Sequence, residues 1–251
     1  MLTNNKFRFA VFAALLVLGA TTRANEGGEG LQHAGNDVSN MASLQRGARN
    51  FVNYCFGCHS AKYVRYNRVA SDLGLTEQQV QDNLMFTGTR TSDTMQNAMS
   101  ADDAKRWFGK EPPDLSLIAR SRTPDYIYTF LKSFYLDPSR PTGVNNHVLD
   151  GAAMPAVLAN LQGLQQAIYE GQADPEGNMQ KHFKGFEKIS EGSMSEEEFD
   201  GFVRDTVNFL EYIGEPVQMK RRNMGIGVMF FLLVFFGFAY FLKQEYWKDV
   251  K

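Results

Sequence analysis

The segment Tyr54-Cys55-Phe56-Gly57-Cys58-His59-Ser60 holds both cysteines of the chain, with a histidine directly after the second. At C-x-x-C-H spacing two thiols can add to the two vinyl groups on one edge of a porphyrin. The adjacent imidazole then lies under the iron, and its other ring nitrogen needs an acceptor to fix the tautomer. A redox dithiol expects a thioredoxin-like βαβ setting, and a zinc site needs more Cys or His at close spacing; the sequence offers neither. The pattern points to one covalently attached c-type haem, with His59 as an axial ligand to the iron.

A low-spin carrier needs a second axial ligand, and Met paired with His raises the reduction potential. Met85, Met95, Met99, Met154, Met179 and Met194 are the thioethers to weigh. Met154 stands in a stretch rich in Gly, Asn and Pro, where Gly151, Ala152 and Ala153 leave room and Pro155 restricts the backbone. Such a loop can drape over a haem face. His33, His147 and His182 are rival ligands, and the closeness of His147 to Met154 leaves that choice open. Pro112 and Pro113 donate no backbone hydrogen bond, but their carbonyls remain acceptors for His59. Arg120 read alone is a surface residue; its guanidinium also suits a haem propionate.

Helices must position these groups. Leu44, Ala48, Phe51, Val52 and Cys55 recur at helical spacing, with Ser43 as the expected cap and Gly47 expected against another helix. Thr76-Glu77-Gln78-Gln79 and Ser100-Ala101-Asp102-Asp103 read as helix starts. Thr123-Pro124-Asp125 supplies a cap and an N1 proline for a helix to about Tyr135. Ser195-Glu196-Glu197-Glu198 is a capping box for a helix with Phe199, Phe202, Val203, Thr206, Phe209, Leu210 and Ile213 on one face, ending near Gly214 and expected to cross the Gly47 helix. No strand-rich region or repeat stands out. The expectation is a mainly α, class I cytochrome c-like haem domain with long loops.

Two apolar stretches flank this domain. Lys6 and Arg8 precede an uncharged run from Phe9 to Ala20, with Thr22 and Ala24 spaced as in a cleavage site; residues 1–24 read as a secretory signal peptide. Met224–Leu242 carries no charge and, at about 1.5 Å per residue, reaches roughly the depth of a bilayer core. Residues 25–215 are then an exported haem domain, and 216–251 a single-pass anchor with a short cytoplasmic tail. Lys220, Arg221 and Arg222 on one side balance Lys243, Lys248 and Lys251 on the other, so orientation follows from the signal peptide.

The net charge is −2, and loss of residues 1–24, with their three cations and no acid, takes it to −5. That argues against nucleic acid as a partner. Residues 170–205 hold ten acids against four bases, a solvated surface or a docking face for a basic acceptor.

The ordered set of motifs resembles one family. Ser43-Leu44-Gln45-Arg46-Gly47, Cys55 to His59 and Tyr63-Val64-x-Tyr66 come first. Pro112-Pro113-Asp114-Leu115-Ser116-x-Ile118-x-Arg120, Asp125-Tyr126, Gly143-Val144-Asn145-Asn146 and Met154-Pro155 follow. Glu215-Pro216 through Arg221-Arg222 and the C-terminal span complete the pattern. Together they resemble cytochrome c1 in its compact bacterial form, over about residues 31–251. The resemblance implies the haem subunit of a ubiquinol–cytochrome c reductase in a bacterial inner membrane, with its haem domain in the periplasm. Its partners would be a cytochrome b subunit, a Rieske iron–sulfur donor, a mobile cytochrome c acceptor and membrane lipid. It implies Met154 as the sixth ligand, and Arg120 and Tyr126 at a propionate. One departure is Leu149-Asp150, where similar sequences tend to carry Phe-Pro. The alternatives are a free membrane-anchored cytochrome feeding an oxidase and, in another class, a haem-based ligand sensor. A sensor needs an exchangeable sixth site, and a two-haem peroxidase needs a second motif.

Overall fold

The computed structural model describes residues 30–173 and 179–249, and the side chains of 172, 173 and 179–181 stand outside the description. The expected signal peptide, residues 1–24, lies outside the described residues. The chain divides into one unit up to Leu31 and a second from Gln32 onward; all that follows concerns the second.

The described residues are about half helical, with nine helices, so the architecture is mainly α. α1 is Met41–Tyr54 and carries the haem motif at its C-terminal end. Its N-cap is Asn40, which accepts from the Ser43 N–H. Ser43, the expected cap, lies one turn inside and gives its hydroxyl to Asp205 instead, at 2.6 Å. A buried partner from another helix outcompetes the local capping bond.

β1 (Ala61–Arg65) and α2 (Tyr66–Asp72) follow. α3 (Glu77–Asn83) starts with a full Thr76–Gln79 capping box, β2 (Thr94–Met95) pairs with β1, and α4 (Ala101–Phe108) is capped by Ser100. α5 (Ile118–Arg122) and α6 (Pro124–Lys132) are short and meet at Thr123. α6 stops before Tyr135, because β3 (Phe134–Leu136) takes up a ladder with β4 (Val144–Asn146).

α7 (Ala159–Gln162) precedes a feature the sequence reading missed: a long antiparallel hairpin of β5 (Gln165–Ala173) and β6 (Met179–Lys188). A bulge at Ile168/Tyr169 breaks its two-residue alternation, which hides it from pattern reading.

α8 (Glu196–Gly214) opens with the Ser195–Glu198 capping box and ends where expected. It crosses α1, and Phe51, Val203, Val207 and Phe209 fill the seam with no more than a trace of exposure. Burial of such side chains contributes roughly 1.5–3 kcal/mol each. α9 (Gln218–Trp247) is the one helix among the described residues long and apolar enough to cross a membrane, and none of its apolar stretch is buried against the protein. It fits a single-pass anchor.

Candidate functional site

Cys55 is the C-cap residue of α1, and the chain turns tightly after it: the Cys58 and His59 amides both donate to the Cys55 carbonyl, at 3.1 and 2.9 Å. That turn sets both thiols and the imidazole at one end of the helix. The two cysteines form no disulfide with each other, and both are half-buried. Burial pushes the Cys55 thiol up to about 12, with a smaller push from Cys58, and burial also raises Cys58. Burial thus works against the thiolate at both positions.

A second segment is stitched alongside. The Leu115 amide donates to the Ser60 carbonyl at 2.8 Å, the Lys62 amide to Asp114 at 2.9 Å, and the Tyr63 amide to the Ser116 hydroxyl at 3.1 Å. These bonds deliver the Pro113 carbonyl to His59, whose Nδ1 donates to it at 2.7 Å. Nδ1 carries the proton in that bond, so Nε2 keeps its lone pair for a metal. Burial pulls the His59 pKa down, against the Pro113 bond and nearby Asp114, which favours the neutral ring that a metal needs.

In front of His59 lies a cavity of about 370 Å³. One wall is Cys55, Cys58, His59 and Pro113; Ile118, Ile127, Phe130 and Leu210 line the apolar interior; Ala152, Ala153, Met154 and Pro155 form a loop wall. Among the described residues no carboxylate lines it, and Lys110 and Arg122 are cations on its wall. Two thiols, a metal-ready imidazole, a thioether and an apolar slot with cations fit a haem.

The sequence candidates separate cleanly in space. Cys55, Cys58, His59, Pro113, Tyr126 and Met154 all line this one cavity. Arg120 is not among its lining residues: its Nη1 lies 2.9 Å from Glu215, a carboxylate also held by Arg221 of α9. The cavity-lining arginine is Arg122, whose guanidinium sits 5.4 Å from the centre of the Tyr126 ring. Two residues apart on a helix, the two arginines point about 160° apart, and composition gave no means of choosing between them. The junction carries strain: Thr123, a β-branched residue, has φ 70, a conformation that costs about 1–3 kcal/mol. It turns the chain between Arg122 and Tyr126.

Among the rival ligands, Met85, Met95 and Met194 pack in or on the main core, and none of the three lines the cavity. Met99 lines an adjoining polar groove with Ser60 and Asn97 and not the cavity itself. His147 stacks on Phe183 at 3.7 Å between ring centres, His33 pairs with Asp125, and neither lines the cavity; nor does His182. The Met179 side chain lies outside the described residues.

The model of the cytochrome C1 family matches residues 36–250. This chain belongs to the cytochrome c1 family. It is 49% identical over 244 residues to a cytochrome c1 of Allochromatium vinosum, covering 97% of this chain and 99% of that protein. It is 42% identical over 245 residues to a protein of Nitrosomonas europaea named ammonia monooxygenase gamma subunit, with 97% and 99% coverage. A cytochrome c1 of Rhodospirillum rubrum is 27% identical over 289 residues, along the full length of both. Membership means one covalent haem c, with Cys55 and Cys58 at the attachment position, and a role as a haem electron-transfer subunit.

Proposed function

We propose that this chain receives single electrons from a Rieske iron–sulfur protein and passes them to a mobile cytochrome c, within a quinol:cytochrome c oxidoreductase built on cytochrome b. His59 and Met154 are the residues that would hold the haem iron. The observation that carries the reading is their placement on one apolar cavity, His59 with its Nδ1 committed to Pro113. Haem supplies a one-electron iron couple there. The protein would do the rest: Cys55 and Cys58 would tether the group, His59, oriented by Pro113, and Met154 would hold the iron, and the apolar walls would exclude water. Two protein ligands leave no position for substrate, which suits outer-sphere transfer and disfavours a ligand sensor. Arg122, with Tyr126 beneath it, is the better-placed cation for a propionate.

The haem domain is proposed to face the periplasm of a bacterial inner membrane, exported by residues 1–24 and held by α9. A second reading comes from the relative named ammonia monooxygenase gamma subunit: the same electron-transfer module in a different oxidoreductase. Purification of the native complex through a tag on the C-terminal tail separates the two. Co-purification of a b-type cytochrome and a Rieske protein, with rapid haem c reduction on adding quinol, is the expected result. A preparation without them, or one inert to quinol, overturns the first reading.

A further inference from the structure

The loop that carries Met154 is held by side chains, not by helix or sheet. Asn145, at the centre of β4 and 3% exposed, uses its whole amide. Nδ2 donates to Asp137 at 3.1 Å and to Asp150 at 2.8 Å. Oδ1 accepts from the amides of Gly151 and Asn146, both at 2.9 Å. Two carboxylates on one side and two N–H groups on the other fix which way the amide points. Asn146, equally buried, donates to the Phe130 carbonyl of α6 at 2.8 Å and accepts from the Val148 and Leu149 amides at 2.9 and 3.0 Å.

Arg140 closes the cluster from outside, with Nη2 2.9 Å from Asp150 and Nε 3.8 Å from Asp137. It also lies over Gly151, whose φ of 73 suits glycine. Asp150, where the family resemblance breaks, is thus a cross-link between β4 and the loop. Its carboxyl is held below its usual range by Asn145 first and then Arg140. Phe134, Val144 and Ala152 form a small core of their own, and Met154 packs both on it and on the main core.

We infer that Asn145 is a positioning residue for the Met154 thioether, locking the 146–151 loop through Asp137, Asp150 and Gly151 so that the sulfur stays in the cavity. The inference rests on the reading of Met154 as the sixth ligand. A buried amide stripped of its partners leaves groups that cost roughly 1–3 kcal/mol each, and here the loosened element is the ligand loop, not the core.

The test uses the full-length haem-loaded protein in detergent, with Asn145→Ala, Arg140→Gln and Asp150→Asn. The readouts are the near-infrared sulfur-to-iron(III) band, carbon monoxide binding to the reduced protein, the midpoint potential and covalent haem. Asn145→Ala is expected to keep its haem, lose most of the band, bind carbon monoxide and fall in potential, with the other two variants intermediate. If Asn145→Ala does not mature, the two milder variants decide, and partial loss of the band is expected. A wild type without the band removes the ligand reading and the inference with it. A wild type with the band, and variants that keep its intensity, potential and resistance to carbon monoxide, overturns the inference alone.

Discussion

Gly47 lies against the main chain of Asp205: a Cβ on Gly47 would stand 2.0 Å from the Asp205 carbonyl oxygen and 2.8 Å from Phe209 Cβ. α1 and α8 therefore meet backbone to backbone. The contact is reinforced by Asp205, which accepts from Ser43 at 2.6 Å and from Arg46 Nε and Nη2 at 2.5 and 3.0 Å. Because the obstacle is backbone, no rotamer change relieves it. Gly47→Ala should destabilise the haem domain by about 1–3 kcal/mol or more, the range for overpacking, despite alanine's better helix propensity. Thermal unfolding of the haem-loaded protein checks this; an unchanged midpoint would contradict the close approach.

The haem motif, the Ser195 capping box and the glycine crossing were legible in the sequence because each is local: a spacing, a cap, one residue type at one helical phase. That Arg122 and not Arg120 lines the cavity depends on which side of a five-residue helix faces it, which the sequence does not show. Asn145 and Asn146 read as loop residues, and their work appears only when Asp137, Phe130 and Gly151 are brought around them. The β5–β6 hairpin was overlooked because its alternation is interrupted by a bulge.

Attachment should fail at either thiol. Cys55→Ala and Cys58→Ala each remove one thioether, and haem-stained denaturing gels of membranes should show loss of normal covalent haem in both. Staining equal to wild type in both variants would place the attachment elsewhere.

The anchor assignment makes a separable prediction. Ending the chain after Asn223 leaves the Glu215–Arg221 pair, with Arg221 Nε 2.5 Å from the carboxylate, but removes the apolar span. The haem domain should then be recovered in soluble form after membranes are washed without detergent, since the remaining described chain has no helix able to cross a bilayer. Quantitative sedimentation of the signal-cleaved product with washed membranes would show that α9 is not what holds it.

The acidic start of α8 is a docking surface only if its charge can be removed without unravelling the helix. Glu198 is committed to its cap, accepting from the Ser195 amide at 2.8 Å and hydroxyl at 2.9 Å. Glu196 and Glu197 are the exposed pair to neutralise. If they steer a basic acceptor, the second-order rate should fall with salt, because exposed charges are screened beyond about 8 Å at physiological ionic strength. The Glu196→Gln/Glu197→Gln double variant should flatten that dependence. A slope identical to wild type would leave the three glutamates as a solvated helix start.

Met154 is where the electron-carrier reading is most exposed to failure. A thioether stabilises the reduced iron and blocks the sixth position. Met154→Leu keeps the bulk in the cavity wall and removes the sulfur, while Cys55 and Cys58 remain to hold the haem. The expected product is covalently loaded, open to carbon monoxide and lower in potential. His147 is poorly placed to substitute, since its ring is stacked on Phe183 at 3.7 Å and stands outside the cavity lining. The variant's sixth position should therefore stay open rather than be taken by a histidine. The near-infrared band of sulfur-to-iron(III) ligation should be present in the oxidised wild type and absent from Met154→Leu. Its persistence in the variant would move the ligand to another methionine, and its absence from wild type would return the protein to the class of open-site haem sensors.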